Sequence, residues 1–263
     1  MNQPHRPVYP EFSGKCVLIT GGTQGVGKAA AARLGAQGAS LYLNYAHDDE
    51  AAAATLREFR NLGYPTQLCK GNLAHPAEID VILENICAAQ PLDILILNAA
   101  YQQKVGFFQT DLKLINDTFA INVTGNFHLL QQASKRMIAA GRPGRVVICT
   151  SPHGTYVYTG TFAYDVSKAA LNHLMRCAAL ELIAHNIRVN AVDIGWTHTP
   201  GERKWFTEEQ QNELAKTIPI GRPADADEMA AVIEFLLSDQ ASYVVGSLYL
   251  ADGGFCLKPN PDT

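Results

Sequence analysis

Short apolar runs alternate with longer amphipathic stretches from Lys15 to about Ala251. The runs Cys16–Thr20, Leu41–Tyr45, Thr66–Lys70, Ile94–Asn98, Val146–Thr150, Arg188–Val192 and Leu248–Ala251 predict strands. Helical periodicity starts near Gly25, Asp48, Pro76, Asp111, Thr161 and Asp225. Ile94, Leu95, Ile96 and Leu97 are apolar at every position, which suits a parallel strand covered on both faces. Strand–helix alternation with right-handed crossovers predicts an α/β fold, a doubly wound and mostly parallel seven-stranded sheet with helices on both sides. No internal repeat or linker interrupts the pattern, so residues 13–255 read as a single domain. A flexible leader (1–12) and a C-terminal tail (256–263) flank it, each carrying prolines.

Composition narrows the class of function. With 47% hydrophobic and 17% charged residues in 263, the chain can bury a large core and global disorder is excluded. The net charge is -4 and basic residues are scattered, so neither a nucleic-acid footprint nor attraction to anionic membranes is present. No apolar run reaches the length of a membrane span, and the leader has no signal-peptide core. Cys16, Cys69, Cys87, Cys149, Cys177 and Cys256 lack C-x-x-C or metal-ligand spacing. They predict reduced thiols in a cytoplasmic protein with no metal site.

The first chemistry-bearing segment is T-G-G-T-Q-G-V-G, Thr20–Gly27, placed between a strand and an alanine-rich helix. Glycines there let the backbone turn sharply and approach a pyrophosphate, which rests on the free N–H groups of the helix N-terminus. Glycine clusters are often only turns, but the strand-before, helix-after context favours phosphate binding. Gly21, Thr23, Gln24, Gly25, Val26 and Gly27 are therefore cofactor candidates.

The second is Ser151, followed thirteen positions later by Tyr164-Asp165-Val166-Ser167-Lys168. Tyr164 and Lys168 are i and i+4 and share one helix face. A phenol has a reference pKa of about 10, so it needs a neighbouring ammonium to act as a base near neutrality. Lys168 supplies that charge and can hold the cofactor ribose. Ser151 follows a strand at its carboxyl end, where open α/β sheets bind ligands. A tyrosine and a lysine at this spacing are commonly just a half-buried ring and a solvated cation. The glycine loop and the serine shift the balance to hydride chemistry on a carbonyl or secondary alcohol.

The G-x-x-x-G-x-G loop and the S…Y-x-x-x-K set resemble the short-chain dehydrogenase/reductase family in its single-domain form, over roughly Ser13 to Phe255. The resemblance implies a Rossmann fold and a nicotinamide cofactor. It implies Ser151, Tyr164 and Lys168 as catalytic residues, with Asn122 of Ile121-Asn122-Val123 as the helix-distorting asparagine of a proton relay. It carries cofactor contacts to Asn72-Leu73, to Asn98-Ala99-Ala100, and to Gly195, Thr197 and Thr199, with Tyr164 and Lys168 also on the cofactor. Ala100 stands where the family has glycine and Ile194 where it has proline, departures that bear on cofactor affinity.

Cofactor choice is read at Asn44-Tyr45-Ala46: an asparagine at the strand end lacks the carboxylate that repels a 2′-phosphate, so NADP(H) is preferred and NAD(H) is the alternative. Gln24, Asp48 and Asp49 weigh against that preference. Ser151, His153, Trp196 and Trp205 are the substrate candidates, Tyr101 and Tyr156 could line the same cleft, and 196–217 reads as a lid with Gly201 as a hinge. Parts of the pattern resemble glucose and polyol dehydrogenases, and 3-oxoacyl reductases share the scaffold. A non-catalytic dinucleotide-binding redox sensor is disfavoured because serine, tyrosine and lysine all stand at working spacing. A nucleotide-sugar epimerase needs a longer C-terminal substrate domain. The resemblance implies a homotetramer, and apolar stripes Phe119/Val123/Phe127/Leu130 and Leu171/Leu174/Ala178/Leu182 fit either an interface or packing on the sheet.

Overall fold

The computed structural model describes residues 8–199 and 207–257. Seven parallel strands form one sheet: β1 (Cys16–Thr20), β2 (Ser40–Tyr45), β3 (Thr66–Lys70), β4 (Ile94–Leu97), β5 (Gly144–Thr150), β6 (Ile187–Ile194) and, after a small pair, β9 (Leu248–Ala251). The pair is β7 (Thr197–His198) with β8 (Ala224–Asp225), which the sequence pattern does not announce because each strand is two residues long. The sheet order is β3-β2-β1-β4-β5-β6-β9, so the winding reverses between β1 and β4.

Every residue of β1 and β4 is buried, as the unbroken apolar runs require. Alternation still operates inside them. Leu18, Leu95, Leu97, Val146 and Ile148 point into one core, while Val17, Ile19, Ile96 and Val147 point into the other. The first core is closed by α3 (Pro76–Ala89), α5 (Asn126–Ala139) and α6 (Phe162–Leu182), the second by α1 (Gly25–Gly35), α2 (Asp49–Asn61) and α8 (Ala226–Leu237). Of the two remaining helices, α4 (Leu112–Phe119) leads into α5 and α7 (Glu208–Ala215) lies beyond β7. The Leu171 stripe faces the first core, with Leu171 buried and Leu174, Ala178 and Leu182 packed against it, so sheet packing accounts for it. In the other stripe Leu130 is buried and Phe127 is half exposed.

The expectation of a flexible leader is corrected in part. Tyr9 and Phe12 lie in the stretch read as a flexible leader, yet both are buried in the second core behind a short 3-10 turn, Pro10–Phe12. Burying an aromatic ring outweighs the cost of ordering a few residues. At the other end, the backbone N–H of Cys256 donates to Asp252 at 2.8 Å, which folds the start of the tail back onto the domain.

α1 and α8 are joined by a buried ion pair. Arg33 Nε donates to Glu234 Oε2 at 2.8 Å and Arg33 Nη1 to Asp227 Oδ2 at 2.9 Å, with the Arg33 and Glu234 side chains 7% and 3% exposed. Removing Glu234 leaves the buried Arg33 guanidinium matched only by the half-exposed Asp227. Glu234→Ala is expected to destabilise the chain by about 3 kcal/mol in urea unfolding, whereas the double change Arg33→Met/Glu234→Leu costs far less. A loss below about 1 kcal/mol for Glu234→Ala would show that the pair is not a structural tie.

Candidate active site

The carboxyl ends of β1, β4, β5 and β6 open onto a cavity of about 690 Å³. Gly21, Gln24, Gly25 and Val26 form one end of it, and Ser151, His153, Tyr164 and Lys168 form the other.

At the glycine end the backbone is shaped for close approach. Gly21 and Gly25 have φ of 60° and 53°, in the left-handed region that side chains resist. A Cβ on Gly27 would sit 2.3 Å from the Gly21 carbonyl oxygen and 2.6 Å from Asn98 Nδ2, so only glycine lets α1 start this close to the sheet. Asp48 and Asp111 cap α2 and α4 through their side chains, but the N-cap of α1, Gln24, makes no such bond. Its amide is turned to Asp48 Oδ2 at 2.6 Å instead. The first-turn N–H groups of α1 are left for an anion, and the glycine cradle fits a pyrophosphate.

Asn98 secures this end. Its Nδ2 donates to the carbonyls of Thr20 and Gly21 at 3.0 and 3.2 Å, while its backbone N–H and that of Ala99 donate to Thr20 Oγ1 at 2.9 and 3.0 Å. Asn98, Ala99 and Ala100 then line the cavity, as do Ile194, Gly195, Trp196, Thr197 and Thr199 across from them. A Cβ on Gly195 would meet Asp252 Cα at 2.5 Å, so that loop must pass close to the chain after β9.

Other expected cofactor residues stand further out. Asn44 is buried, and its amide donates to the carbonyls of Cys69 and Gly71 at 3.1 and 2.9 Å, tying β2 to β3. Tyr45 donates to Asp49 at 3.0 Å, and Asp49 also pairs with Lys70 at 2.7 Å. Asn72 caps its own turn by accepting from the Ala74 N–H, and Leu73 belongs to the first core. Thr23 is buried, with its carbonyl accepting from Thr55 Oγ1 at 2.8 Å. None of these, nor Ala46, is on the cavity wall. Trp205 and Gly201 lie outside the described residues.

At the other end, Tyr164 and Lys168 occupy successive turns of α6, with Lys168 Nζ 5.4 Å from the Tyr164 ring centroid. Lys168 is buried and donates to the Cys149 carbonyl at 3.1 Å. Burial pushes its ammonium down to about 8, against the upward pull of Cys149 and Asp193. Ser151 directly follows β5, and its Oγ accepts from the His153 N–H at 3.5 Å. Asn122 is not on the cavity wall. It sits in a π-helical turn, Ala120–Gly125, accepts from the Tyr101 N–H at 2.7 Å, and donates to Ser167 Oγ at 3.0 Å. Ser167 in turn donates to the Tyr164 carbonyl at 2.7 Å, so Asn122 ties the loop after β4 to the turn bearing Tyr164.

Tyr101 and Tyr156 are absent from the wall; Tyr158 and Phe255 add to the aromatic surface that Tyr164 and Trp196 give it. Asp165, read from sequence only as a spacer between Tyr164 and Lys168, reaches His153 at 2.6 Å. An acidic residue on the turn of a helix that faces a cleft was the available signal.

Residues 21–256 match a short-chain dehydrogenase family model described as enoyl-(acyl carrier protein) reductase. The chain belongs to the short-chain dehydrogenase/reductase family. Among its relatives are a glucose 1-dehydrogenase of Gluconobacter oxydans, 30% identical over 95% of both chains, and an L-rhamnose 1-dehydrogenase (NAD(P)(+)) of a Sphingomonas species, 30% identical over 92% of this chain and 96% of that one. A solved acetoin dehydrogenase from Salmonella typhimurium is 30% identical, with a TM-score of 0.84 over 95% of this chain and all of that one. In this short-chain dehydrogenase/reductase the two departures from family pattern, Ala100 and Ile194, both face the cavity.

The buried lysine carries a stability cost. Its folded value, about 8, lies below the ordinary 10.5, so the unfolded chain holds the proton more tightly and stability rises as pH climbs through that interval. Below about 8 the full penalty applies. Lys168→Met is therefore expected to raise the melting temperature of the cofactor-free chain at pH 7, by roughly 2–4 °C for each kcal/mol relieved, and to abolish turnover. A lower melting temperature with turnover kept would contradict both halves.

Proposed function

We propose that this NAD(P)-dependent oxidoreductase acting on CH–OH groups takes a sugar- or polyol-like substrate, that Tyr164 exchanges the proton on the reacting oxygen, and that NADP(H) is the preferred cofactor. The observation carrying this reading is the meeting of Ser151, Tyr164 and Lys168 at one end of the cavity whose other end is the bare N-terminus of α1. The dinucleotide supplies the hydride acceptor or donor. Ser151 Oγ holds the substrate oxygen, and Lys168 stabilises the Tyr164 phenolate while alcohol is oxidised. In the reverse direction Tyr164 returns the proton to the carbonyl oxygen. Asn122 keeps the Tyr164 turn in register through Ser167.

Relatives named for glucose and rhamnose support the substrate class. An acyl-carrier-protein substrate has less support, because Arg136 bonds its own helix at Gln132 and Arg142 pairs with Asp93. NADP(H) is favoured by the missing carboxylate at Asn44, while Asp48, beside Gln24, is the group that opposes it. A tetramer is supported by the apolar patch of Phe107, Phe108 and Phe162, whose rings contact one another while Phe108 is 92% exposed. Free cysteines fit a reducing, cytoplasmic setting. Light scattering should report four copies per particle, and a concentration-independent monomer would exclude assembly.

Tyr164→Phe is expected to lower kcat/KM by about 10²–10⁴ on a panel of sugars and polyols while nicotinamide-cofactor binding, read by fluorescence, persists. Undiminished turnover would remove Tyr164 from the chemistry. The wild type should have the higher kcat/KM with NADP(H), and Asp48→Ser, which keeps a capping oxygen, should raise the NADP(H)-to-NAD(H) ratio by about tenfold. A wild-type preference for NAD(H), or a falling ratio, would reverse the cofactor assignment.

A further inference from the structure

We propose that Asp165 fixes His153 as a hydrogen-bond acceptor and that the substrate presents to it a hydroxyl on the carbon next to the reacting one. The inference rests on the reading of Tyr164 as the proton-transfer group and adds a specificity determinant to it.

His153 and Asp165 form a dyad built into the cavity wall. His153 Nδ1 lies 2.6 Å from Asp165 Oδ1, and Asp165 Oδ2 accepts the Tyr158 backbone N–H at 3.0 Å. Both carboxylate oxygens are thus used, and a carboxylate only accepts, so Nδ1 of the imidazole carries the proton. Thr161 Oγ1, 3.4 Å away, is the other neighbour of Nδ1. Burial pulls His153 below its ordinary value against the upward pull of Asp165, and the Lys168 and Lys104 charges add to the downward side, which favours the neutral ring. Nε2 is then a lone pair with no partner among the described residues, on a residue that lines the cavity.

The ring cannot swing away. Tyr158 stacks on it at 4.0 Å between centroids and 27° between planes, and Tyr164 meets it edge-on at 5.2 Å and 76°. Phe255 lies parallel to Tyr158 at 6.4 Å on the outer side. The ring is therefore held against Tyr164, on the same cavity wall as Ser151, where a group next to the reacting oxygen would meet it. An acceptor in that place rewards a neighbouring O–H and repels a neighbouring carbonyl or ether oxygen. Vicinal diols, α-hydroxy ketones and sugars offer the O–H. A 3-oxoacyl thioester does not.

Three ketones of similar size test the point: 3-hydroxy-2-butanone, 2-butanone and 3-methoxy-2-butanone, each reduced with NADPH and with NADH. The wild type should favour the hydroxy ketone over both others. His153→Phe should lower kcat/KM for the hydroxy ketone by about 10–100-fold and leave 2-butanone within about threefold. Asp165→Asn keeps the shape of the dyad. With its oxygen still on the Tyr158 N–H, its amide donates to Nδ1 and moves the imidazole proton to Nε2. The methoxy-to-hydroxy ratio should then rise at least tenfold, a reversal that simple loss of packing does not produce. Equal losses on all three ketones in His153→Phe, an unchanged ratio in Asp165→Asn, or a wild type indifferent to the hydroxyl would overturn the proposal. Turnover surviving in Tyr164→Phe, or no ketone reduced at all, would instead overturn the reading on which it rests.

Discussion

Thr20 and Asn98 stitch together the two strands at which the sheet reverses its winding. Five hydrogen bonds between β1 and the end of β4 run through these two residues, and Thr20 Oγ1 accepts two of them and donates one. The stitch places the Gly21 carbonyl and the Asn98 amide where only a glycine at position 27 can pass. Helix α1 consequently begins against the sheet, its uncapped N-terminus facing the crevice that the strand order opens. The phosphate end of the cavity is a consequence of that contact, and so is the position of everything measured from it.

The end lined by Ser151, Tyr164 and Lys168 is assembled differently, by putting charge where water is scarce. Lys168 is buried against a carbonyl, and burial likewise raises Asp193, whose carboxylate accepts from Thr150. These groups are individually unfavourable in a folded core. Their retention next to Ser151 and Tyr164 is what a proton-transfer site requires and what a merely structural helix would avoid. The opposite solution holds α1 to α8, where Arg33 is buried but matched by two carboxylates.

Much of this was legible in the chain. Strands such as Ile94–Leu97 declare themselves because both faces must be apolar in a covered parallel sheet. The Ser151–Tyr164–Lys168 set is legible because helix spacing and strand end bring three chemical types together. What escaped is of another kind. β7 and β8 are too short for periodicity. Tyr9 and Phe12 looked like a loose leader because prolines flank them, and only the second core shows what they cover. Asp165 looked like a spacer because its partner, His153, is twelve residues away and meets it only through the turn after β5. Pairings set by tertiary packing leave no local pattern to read.

The central claim is that one cavity holds the dinucleotide's pyrophosphate at its glycine end and brings nicotinamide and carbonyl compound together at the other, so that Tyr164 completes hydride transfer with a proton. Deuterium tracing tests it most directly. With cofactor carrying deuterium at the transferring face of nicotinamide C4, the intact chain should place one deuterium on the former carbonyl carbon of 3-hydroxy-2-butanone, and Tyr164→Phe should place almost none in the same time. Deuterium arriving at an equal rate in Tyr164→Phe, or reduced product lacking deuterium at that carbon, would contradict the account.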